Sequence, residues 1–147
     1  MQKTRAGRWA ALALAGAVAL AGCSGTADDA RDAGTTEVTA SGQSLDATEF
    51  ADLAAGEGVV VLDVRTPEEF AAGHLEGAVN LDVSAADVAT RVAELDPDAT
   101  YAVYCRSGNR SQAAMALMQS AGIGSLADLV GGIEAWSQAG LPVVTGS

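Results

Sequence analysis

Tyr101-Ala102-Val103-Tyr104 runs directly into the polar loop Cys105-Arg106-Ser107-Gly108-Asn109-Arg110, and a helix-forming segment follows from Gln112 to Met118. An apolar strand, a tight loop and a helix N-terminus in succession turn backbone N–H groups toward one point and favour an anion there. A thiol at that point loses its proton more readily, because the helix dipole and the guanidinium charges both favour the thiolate. The stretch therefore predicts a reactive cysteine at the end of a buried strand, with an inert buried Cys105 as the alternative.

Outward from this stretch, apolar strand patterns and helical patterns alternate along the chain. Strands are predicted over residues 59–64, 78–81, 101–104 and 125–130, with helices between them. This alternation predicts a three-layer α/β/α fold with a four- to five-stranded parallel sheet covered by helices on both faces. Open sheets of this kind bind ligands beyond the carboxyl ends of their strands, and Cys105 lies at such an end.

Three helix starts carry N-cap signals. Each is a short polar residue whose side-chain oxygen can accept a hydrogen bond from a free N–H of the first turn. The predicted caps are Asp46 with Glu49 three residues later, Thr66 followed by Pro67, and Ser84 ahead of the helix that carries Val88, Val92 and Leu95.

The N-terminus has the pattern of an export signal. Lys3, Arg5 and Arg8 precede an uncharged stretch from Trp9 to Gly22. Its end, Leu20-Ala21-Gly22-Cys23, resembles the lipobox of bacterial lipoproteins, in which the cysteine is diacylated. Residues 1–22 are therefore predicted to be a lipoprotein signal peptide, 23–44 a lipidated Cys23 with a flexible tether, and 45–147 the folded domain. An ordinary signal peptide is the alternative.

This prediction places the domain outside the cytoplasm, anchored to a membrane by lipid, on the periplasmic or cell-envelope face. Removing residues 1–22 takes away three basic and no acidic residues, so the net charge falls from −11 to −14. Such an acidic surface repels nucleic acid, which is therefore not an expected partner. With Cys23 lipidated, Cys105 is the remaining thiol and cannot form an internal disulfide. One histidine and one free cysteine do not supply a usual set of metal ligands, so no metal ion is expected. No cofactor is expected either. The protein is predicted to be a monomer.

Four ordered motifs resemble those of single-domain rhodaneses, over about residues 45–144. They are Leu62-Asp63-Val64-Arg65-Thr66-Pro67-Glu68-Glu69-Phe70, Gly73-His74-Leu75-Glu76-Gly77-Ala78-Val79-Asn80-Leu81, Cys105-Arg106-Ser107-Gly108-Asn109-Arg110-Ser111 and Gly131-Gly132-Ile133-Glu134-Ala135-Trp136. The resemblance implies a rhodanese α/β fold and a sulfurtransferase of the thiosulfate:cyanide type in which Cys105 carries a persulfide. The implied sulfur donor is a small anion such as thiosulfate, or a protein persulfide.

The loop residues suit that chemistry. The N–H groups from Arg106 through Ser107, Gly108 and Asn109 to Arg110 are predicted to stabilise the persulfide anion. Gly108 is predicted to let the backbone curl without a Cβ clash. Arg110 is predicted to steer an anionic donor or hold the leaving group, with Arg106 acting from the rim. A locally positive site within an acidic protein is therefore expected at this loop.

Three residues outside the loop are candidates for supporting roles. Asp63 and Arg65 follow the first predicted strand and are expected to pair with each other or to order neighbouring loops. The single histidine, His74, follows Gly73 at a helix end, and a structural hydrogen bond is favoured there over a general-base role.

Two other functions stay open at the level of sequence. Related phosphatases and arsenate reductases place five residues between the cysteine and the arginine, whereas four stand here, which fits a single sulfur atom better than a tetrahedral oxyanion. A persulfide carrier or docking module with little turnover of its own would use the same Cys105.

Overall fold

Five strands and five helices alternate along residues 41–146, the part of the chain that this computed structural model describes. They are β1 (Ser41–Leu45), α1 (Ala47–Ala54), β2 (Val59–Asp63), α2 (Pro67–Ala72), β3 (Val79–Asn80), α3 (Val88–Ala93), β4 (Thr100–Tyr104), α4 (Asn109–Ser120), β5 (Ser125–Leu129) and α5 (Gly132–Gln138). The predicted signal peptide and Cys23 lie outside the described residues. Within residues 41–146, no helix combines the length and apolar character needed to cross a membrane.

The five strands form one parallel sheet in the order β1-β5-β4-β2-β3. This arrangement confirms the predicted parallel α/β fold. Strand β4 is central, and its register with β2 runs from Val59 opposite Thr100 to Asp63 opposite Tyr104. Because the two strands end level with each other, the loops that follow Asp63 and Tyr104 leave the sheet side by side.

Two apolar clusters cover the two faces of the sheet and confirm the three layers. On one face, Val103 packs with side chains of α3 and α4, including Val92 and Met118. On the other face, side chains of α1 and α5, including Phe50 and Trp136, pack in one cluster with residues of the strands. Full burial of such a side chain contributes about 1.5–3 kcal/mol. Burial on both faces explains why the sequences of the central strands are nearly continuous apolar runs.

Strand β1 was not predicted, and it occupies residues 41–44 that the sequence pattern assigned to the tether. β1 begins four residues before residue 45, the predicted start of the domain. β1 lies at the edge of the sheet, where its backbone pairs with β5 while Gly42, Gln43 and Ser44 are exposed. An exposed edge strand needs no apolar side chains, so its sequence carries no strand signal.

Two of the three predicted helix caps are confirmed. Asp46 and Thr66 each form a reciprocal capping box with the glutamate three residues later. The prediction for Ser84 is wrong, because α3 begins at Val88 and its N-cap position is Asp87. Both the amide and the hydroxyl of Ser84 donate to Asp82 Oδ1, at 2.8 and 2.6 Å. These hydrogen bonds hold Ser84 in a local turn, and the helix begins only after it.

Candidate active site

Cys105 directly follows the central strand β4 and opens the loop into α4. The residue is 1% exposed. The N–H of Gly108 donates to Cys105 Sγ at 3.1 Å, so the loop curls back over the sulfur. Ser111 Oγ lies 3.9 Å from Sγ and donates to the carbonyl of Gly108 at 2.7 Å. The sulfur therefore sits among polar hydrogens supplied by the loop and the first turn of α4.

Gly108 closes this curl as the N-cap residue of α4. Its φ of 101° lies in the left-handed region, which residues with a Cβ rarely adopt. A Cβ at this position would meet its nearest neighbour, Gly131 N, at 3.5 Å, which is an ordinary contact. The prediction that Gly108 lets the backbone curl is confirmed, and the requirement comes from the backbone angle rather than from lack of space.

The surroundings of the sulfur favour the thiolate. Burial alone raises the pKa of Cys105, but hydrogen bonds from the backbone of Ser111, Gly108 and Ser107, together with the Ser111 hydroxyl, outweigh it and leave the pKa below its ordinary value. The thiolate is thus stabilised by backbone N–H groups and one hydroxyl in a small loop.

Arg110 is held by a glutamate of another helix. Its Nη1 and Nη2 atoms donate to Glu69 Oε2 and Oε1 at 2.7 and 2.8 Å, so the pair is bidentate. The hydrogen bond from Arg110 is the main reason that the pKa of Glu69 is lowered to about 2. The same bond raises the pKa of Arg110. Both groups are therefore charged throughout the ordinary pH range.

Arg106 is also paired, but weakly. Its Nε lies 3.3 Å from Glu134 Oε1 of α5, and its side chain is 67% exposed, so solvent screens most of the attraction. Ser107 and Asn109 are exposed beside it on the loop. The expectation of a locally positive site needs correction, because a glutamate stands against each arginine of the loop. The predicted contacts of Arg106 and Arg110 with an anionic donor stay predictions.

Helix α5 supports the loop from the side. The N–H groups of Ile133 and Glu134 donate to the carbonyls of Cys105 and Arg106 at 2.9 and 3.2 Å. Gly132, with a φ of 59°, makes this approach possible, because a Cβ there would lie 2.4 Å from the Cys105 carbonyl oxygen. The Gly131-Gly132 pair of the sequence therefore serves close packing of α5 against the loop.

Asp63 and Arg65 form a buried ion pair behind the site, as predicted. Arg65 Nε donates to both carboxylate oxygens at 2.9 and 3.0 Å, and Arg65 Nη2 donates to the carbonyl of Gly73 at 2.7 Å. The Tyr104 hydroxyl donates to Asp63 Oδ2 at 2.7 Å and accepts from the N–H of Leu75. Burial is the main reason that the pKa of Tyr104 is raised. The network joins the ends of β2 and β4 to the segment after α2.

His74 is buried, and both its ring and its backbone contact other residues of the fold. Its Nδ1 atom lies 2.9 Å from the Phe70 carbonyl oxygen, and its ring stacks on that of Phe70 with the centroids 3.8 Å apart. Its backbone pairs with Val144. These contacts are those of a structural residue, in line with the role favoured by the sequence.

Several contacts within the site have no signal in the local sequence. Glu69 contacts Arg110, and Asp63 contacts Tyr104, across 41 positions of the chain in each case, which no local pattern reveals. Ser111 follows Arg110 directly and was available as a candidate from its place in the motif. Among residues 41–146, no group of three or more His, Cys, Asp or Glu side chains could hold a metal ion.

Comparison with known proteins agrees with this geometry. The Rhodanese-like domain family matches residues 46–139. A sulfurtransferase of Allochromatium vinosum is 40% identical over 92 residues, which cover 63% of this chain and 84% of that protein. The thiosulfate sulfurtransferase GlpE of Pseudomonas entomophila is 41% identical over 80 residues, covering 54% and 72%. A solved rhodanese-related protein of Thermoplasma volcanium superposes with a TM-score of 0.62 at 33% identity, over 69% of this chain and 97% of that one. The chain thus belongs to the family of single-domain rhodaneses, and its homologues support sulfur transfer.

Proposed function

We propose that this protein is a rhodanese-type sulfurtransferase that carries sulfane sulfur as a persulfide on Cys105. The observation that carries the proposal is the contact of the Gly108 N–H with Cys105 Sγ at 3.1 Å, in a loop that lowers the thiol pKa. The donor proposed from the sulfurtransferase relatives is thiosulfate or a persulfide.

The reaction takes two displacements. The Cys105 thiolate attacks the sulfane sulfur of thiosulfate, the bond to the sulfonate sulfur breaks, and its electron pair leaves with sulfite. A nucleophilic acceptor such as cyanide then attacks the outer sulfur of the persulfide, which releases thiocyanate and restores the thiolate. The loop N–H groups stabilise the negative sulfur in both states.

A Cys105→Ser variant tests the proposal that the protein is a sulfurtransferase. The full chain, purified in detergent, is expected to form thiocyanate from thiosulfate and cyanide, and the variant is expected to lose essentially all of this activity. Mass spectrometry of the unaltered chain after exposure to the donor is expected to show one added sulfur on Cys105. Equal thiocyanate production by the two proteins would reject the role of Cys105.

A persulfide carrier with little turnover is the second candidate. The bidentate pairing of Arg110 with Glu69 favours it, because the carboxylate occupies the guanidinium that would bind a small anionic donor, and Glu134 stands beside the exposed Arg106. A carrier would show stoichiometric persulfide on Cys105 when a persulfide-bearing protein is supplied, and negligible turnover with thiosulfate.

The proposal includes a membrane anchor at Cys23 and an extracytoplasmic location. Its support is the basic start, the uncharged stretch from Trp9 to Gly22 and the lipobox-like sequence that ends at Cys23. Labelling with a fatty-acid analogue in a bacterial host tests it, since the unaltered chain should take up label and the Cys23→Ser variant should not. Equal labelling of both would reject the anchor.

A further inference from the structure

We propose that Glu69 is a specificity-determining residue, which holds the guanidinium of Arg110 and so disfavours dianionic sulfur donors such as thiosulfate relative to thiol persulfides, R–S–SH. The inference rests on the proposed function of Cys105 and names the donor class for that same site.

The position of the Glu69 carboxylate is set by its own helix. Glu69 is at the N3 position of α2, where its N–H donates to Thr66 Oγ1 at 3.4 Å and its Oε2 accepts from the Thr66 N–H at 3.3 Å. The same carboxylate engages both Nη atoms of Arg110. The capping box therefore preorganises the acid for the arginine before any donor arrives.

The guanidinium of Arg110 meets a matched partner in this carboxylate. Bidentate pairing aligns two parallel N–H···O bonds, and the side chains are only 36% and 30% exposed, so water competes less than at an open surface. A donor oxyanion must displace the Glu69 carboxylate or bind beside it, and in either case it meets a negative charge. Arg110 and Glu69 together carry no net charge, so the guanidinium attracts an anionic donor less than an unpaired arginine would.

The two donor classes place different charges on the loop. When the Cys105 thiolate attacks thiosulfate, the total charge of the reacting atoms is −3, shared between the forming persulfide and the departing sulfite. When it attacks the outer sulfur of R–S–SH, the S–S bond of the donor breaks, R–S⁻ leaves with the bonding pair, and the total charge is −1. The proton stays on the transferred sulfur until the Cys105 persulfide ionises. Neither path needs an oxidant or a reductant.

The hydrogen-bond donors of the loop are enough to stabilise one negative charge but not three. The polar hydrogens near the sulfur come from the backbone of Ser107, Gly108 and Ser111 and from the Ser111 hydroxyl, which suffice for a thiolate or a persulfide anion. The second arginine, Arg106, is exposed and has Glu134 beside it. The chain also carries a net charge of −11, which repels a dianion more than a donor of smaller negative charge.

Glu69→Gln tests the proposal, with Glu68→Gln as the matched control. Glutamine keeps the size of the side chain and can complete a capping box, but it removes the charge that holds Arg110. Glu68 is the adjacent, exposed acid of the same helix turn. The full chain is assayed in detergent at low ionic strength with cyanide as acceptor, once with thiosulfate and once with glutathione persulfide as donor.

The measured quantity is the ratio of kcat/KM for thiosulfate to kcat/KM for the persulfide. We expect Glu69→Gln to raise this ratio about tenfold, mainly through a lower KM for thiosulfate, and to strengthen competitive inhibition by sulfite. Glu68→Gln should change the ratio less than about twofold. Adding Arg110→Gln to Glu69→Gln should abolish the gain, because the gain acts through the released guanidinium.

An unchanged ratio in folded Glu69→Gln, or a gain that survives the loss of Arg110, would overturn the proposal. Should Glu69→Gln fail to fold, Glu69→Asp retracts the carboxylate by one methylene, and a smaller rise in the ratio is expected; no rise would be equally decisive against it. Failure of the underlying function has a different signature, in which the unaltered chain takes sulfur from neither donor and forms no persulfide on Cys105.

Discussion

The thiol of Cys105 is buried, yet its pKa lies below the ordinary value because polar hydrogens surround the sulfur. Burial by itself would have the opposite effect, so the balance depends on groups a few ångströms away. Ser111 is the most informative of these, because its hydroxyl lies near the sulfur and also holds the Gly108 carbonyl. One residue thus both stabilises the thiolate and maintains the curl of the loop.

Ser111→Ala is expected to raise the pKa of Cys105, since it removes the hydroxyl and loosens the loop that presents the Gly108 N–H. The ultraviolet absorbance of the thiolate, followed as a function of pH, measures the change. The control is Ser120→Ala, which removes a hydroxyl of the same helix that donates to the Ala116 carbonyl at 2.8 Å on the exposed side. A Cys105 titration that moves equally in both variants would contradict the assigned role of Ser111.

The charge around the two arginines of the loop differs from what the sequence suggested. Two cations in a six-residue loop suggested a positive site, but Glu69 and Glu134 stand against them. The carboxylates come from α2 and α5, and their approach depends on how these helices pack. The sequence motif pointed to Cys105 and to the loop N–H groups around it, but it held no information on the glutamates that face the arginines.

At the scale of elements, α5 braces the catalytic loop through backbone groups. The N–H groups of Ile133 and Glu134 donate to carbonyls of the loop, and Gly132 permits the close approach. Strand β4 and helix α4 were predictable, because burial on both faces gives β4 an apolar run and the segment from Gln112 to Met118 favours a helix. Strand β1 was not, since its pairing uses backbone atoms at an exposed edge.

Gly132→Ala is expected to destabilise the fold by at least about 2 kcal/mol, because it combines a positive φ with a Cβ inside the contact distance of the Cys105 carbonyl. Activity should fall in parallel as the loop is displaced. Gly140→Ala is the matched control, since its φ is 74° and no atom lies within 4 Å of the added Cβ, so only the strain of about 1–2 kcal/mol applies. Urea unfolding measures both, and equal losses would show that the close approach is unimportant.

At the scale of the whole molecule, the Glu69–Arg110 pair joins α2 to α4 across 41 positions of the chain. Such a tie contributes to global stability as well as to the charge of the site. Its dependence on pH follows from the lowered pKa of Glu69. The stabilisation from the pair is present in full only above the pKa of the glutamate in the unfolded chain, where the carboxylate is ionised in both states.

The stabilisation from this pair is expected to disappear in acid. Folding lowers the pKa of Glu69 from 4.5 to about 2, so the contribution is fully present above pH 4.5 and is lost as the pH falls from 4.5 toward 2. Urea unfolding should therefore show that Glu69→Gln is less stable than the unaltered chain at about pH 7, with a smaller deficit at about pH 3. The partial exposure of both side chains keeps the effect modest. A deficit that is constant with pH would contradict the ionic origin.

The amino-acid sequence was enough to predict the parallel α/β architecture, the position of Cys105 at the end of a buried strand and the loop N–H groups around it. These features depend on local patterns: apolar runs, a glycine with positive φ, and a strand followed directly by a helix. Only the tertiary structure decided which charges face the loop, how α5 braces it and where the edge strand pairs. Those contacts join residues that are far apart along the chain, and their energies come from packing and pairing that no local pattern encodes.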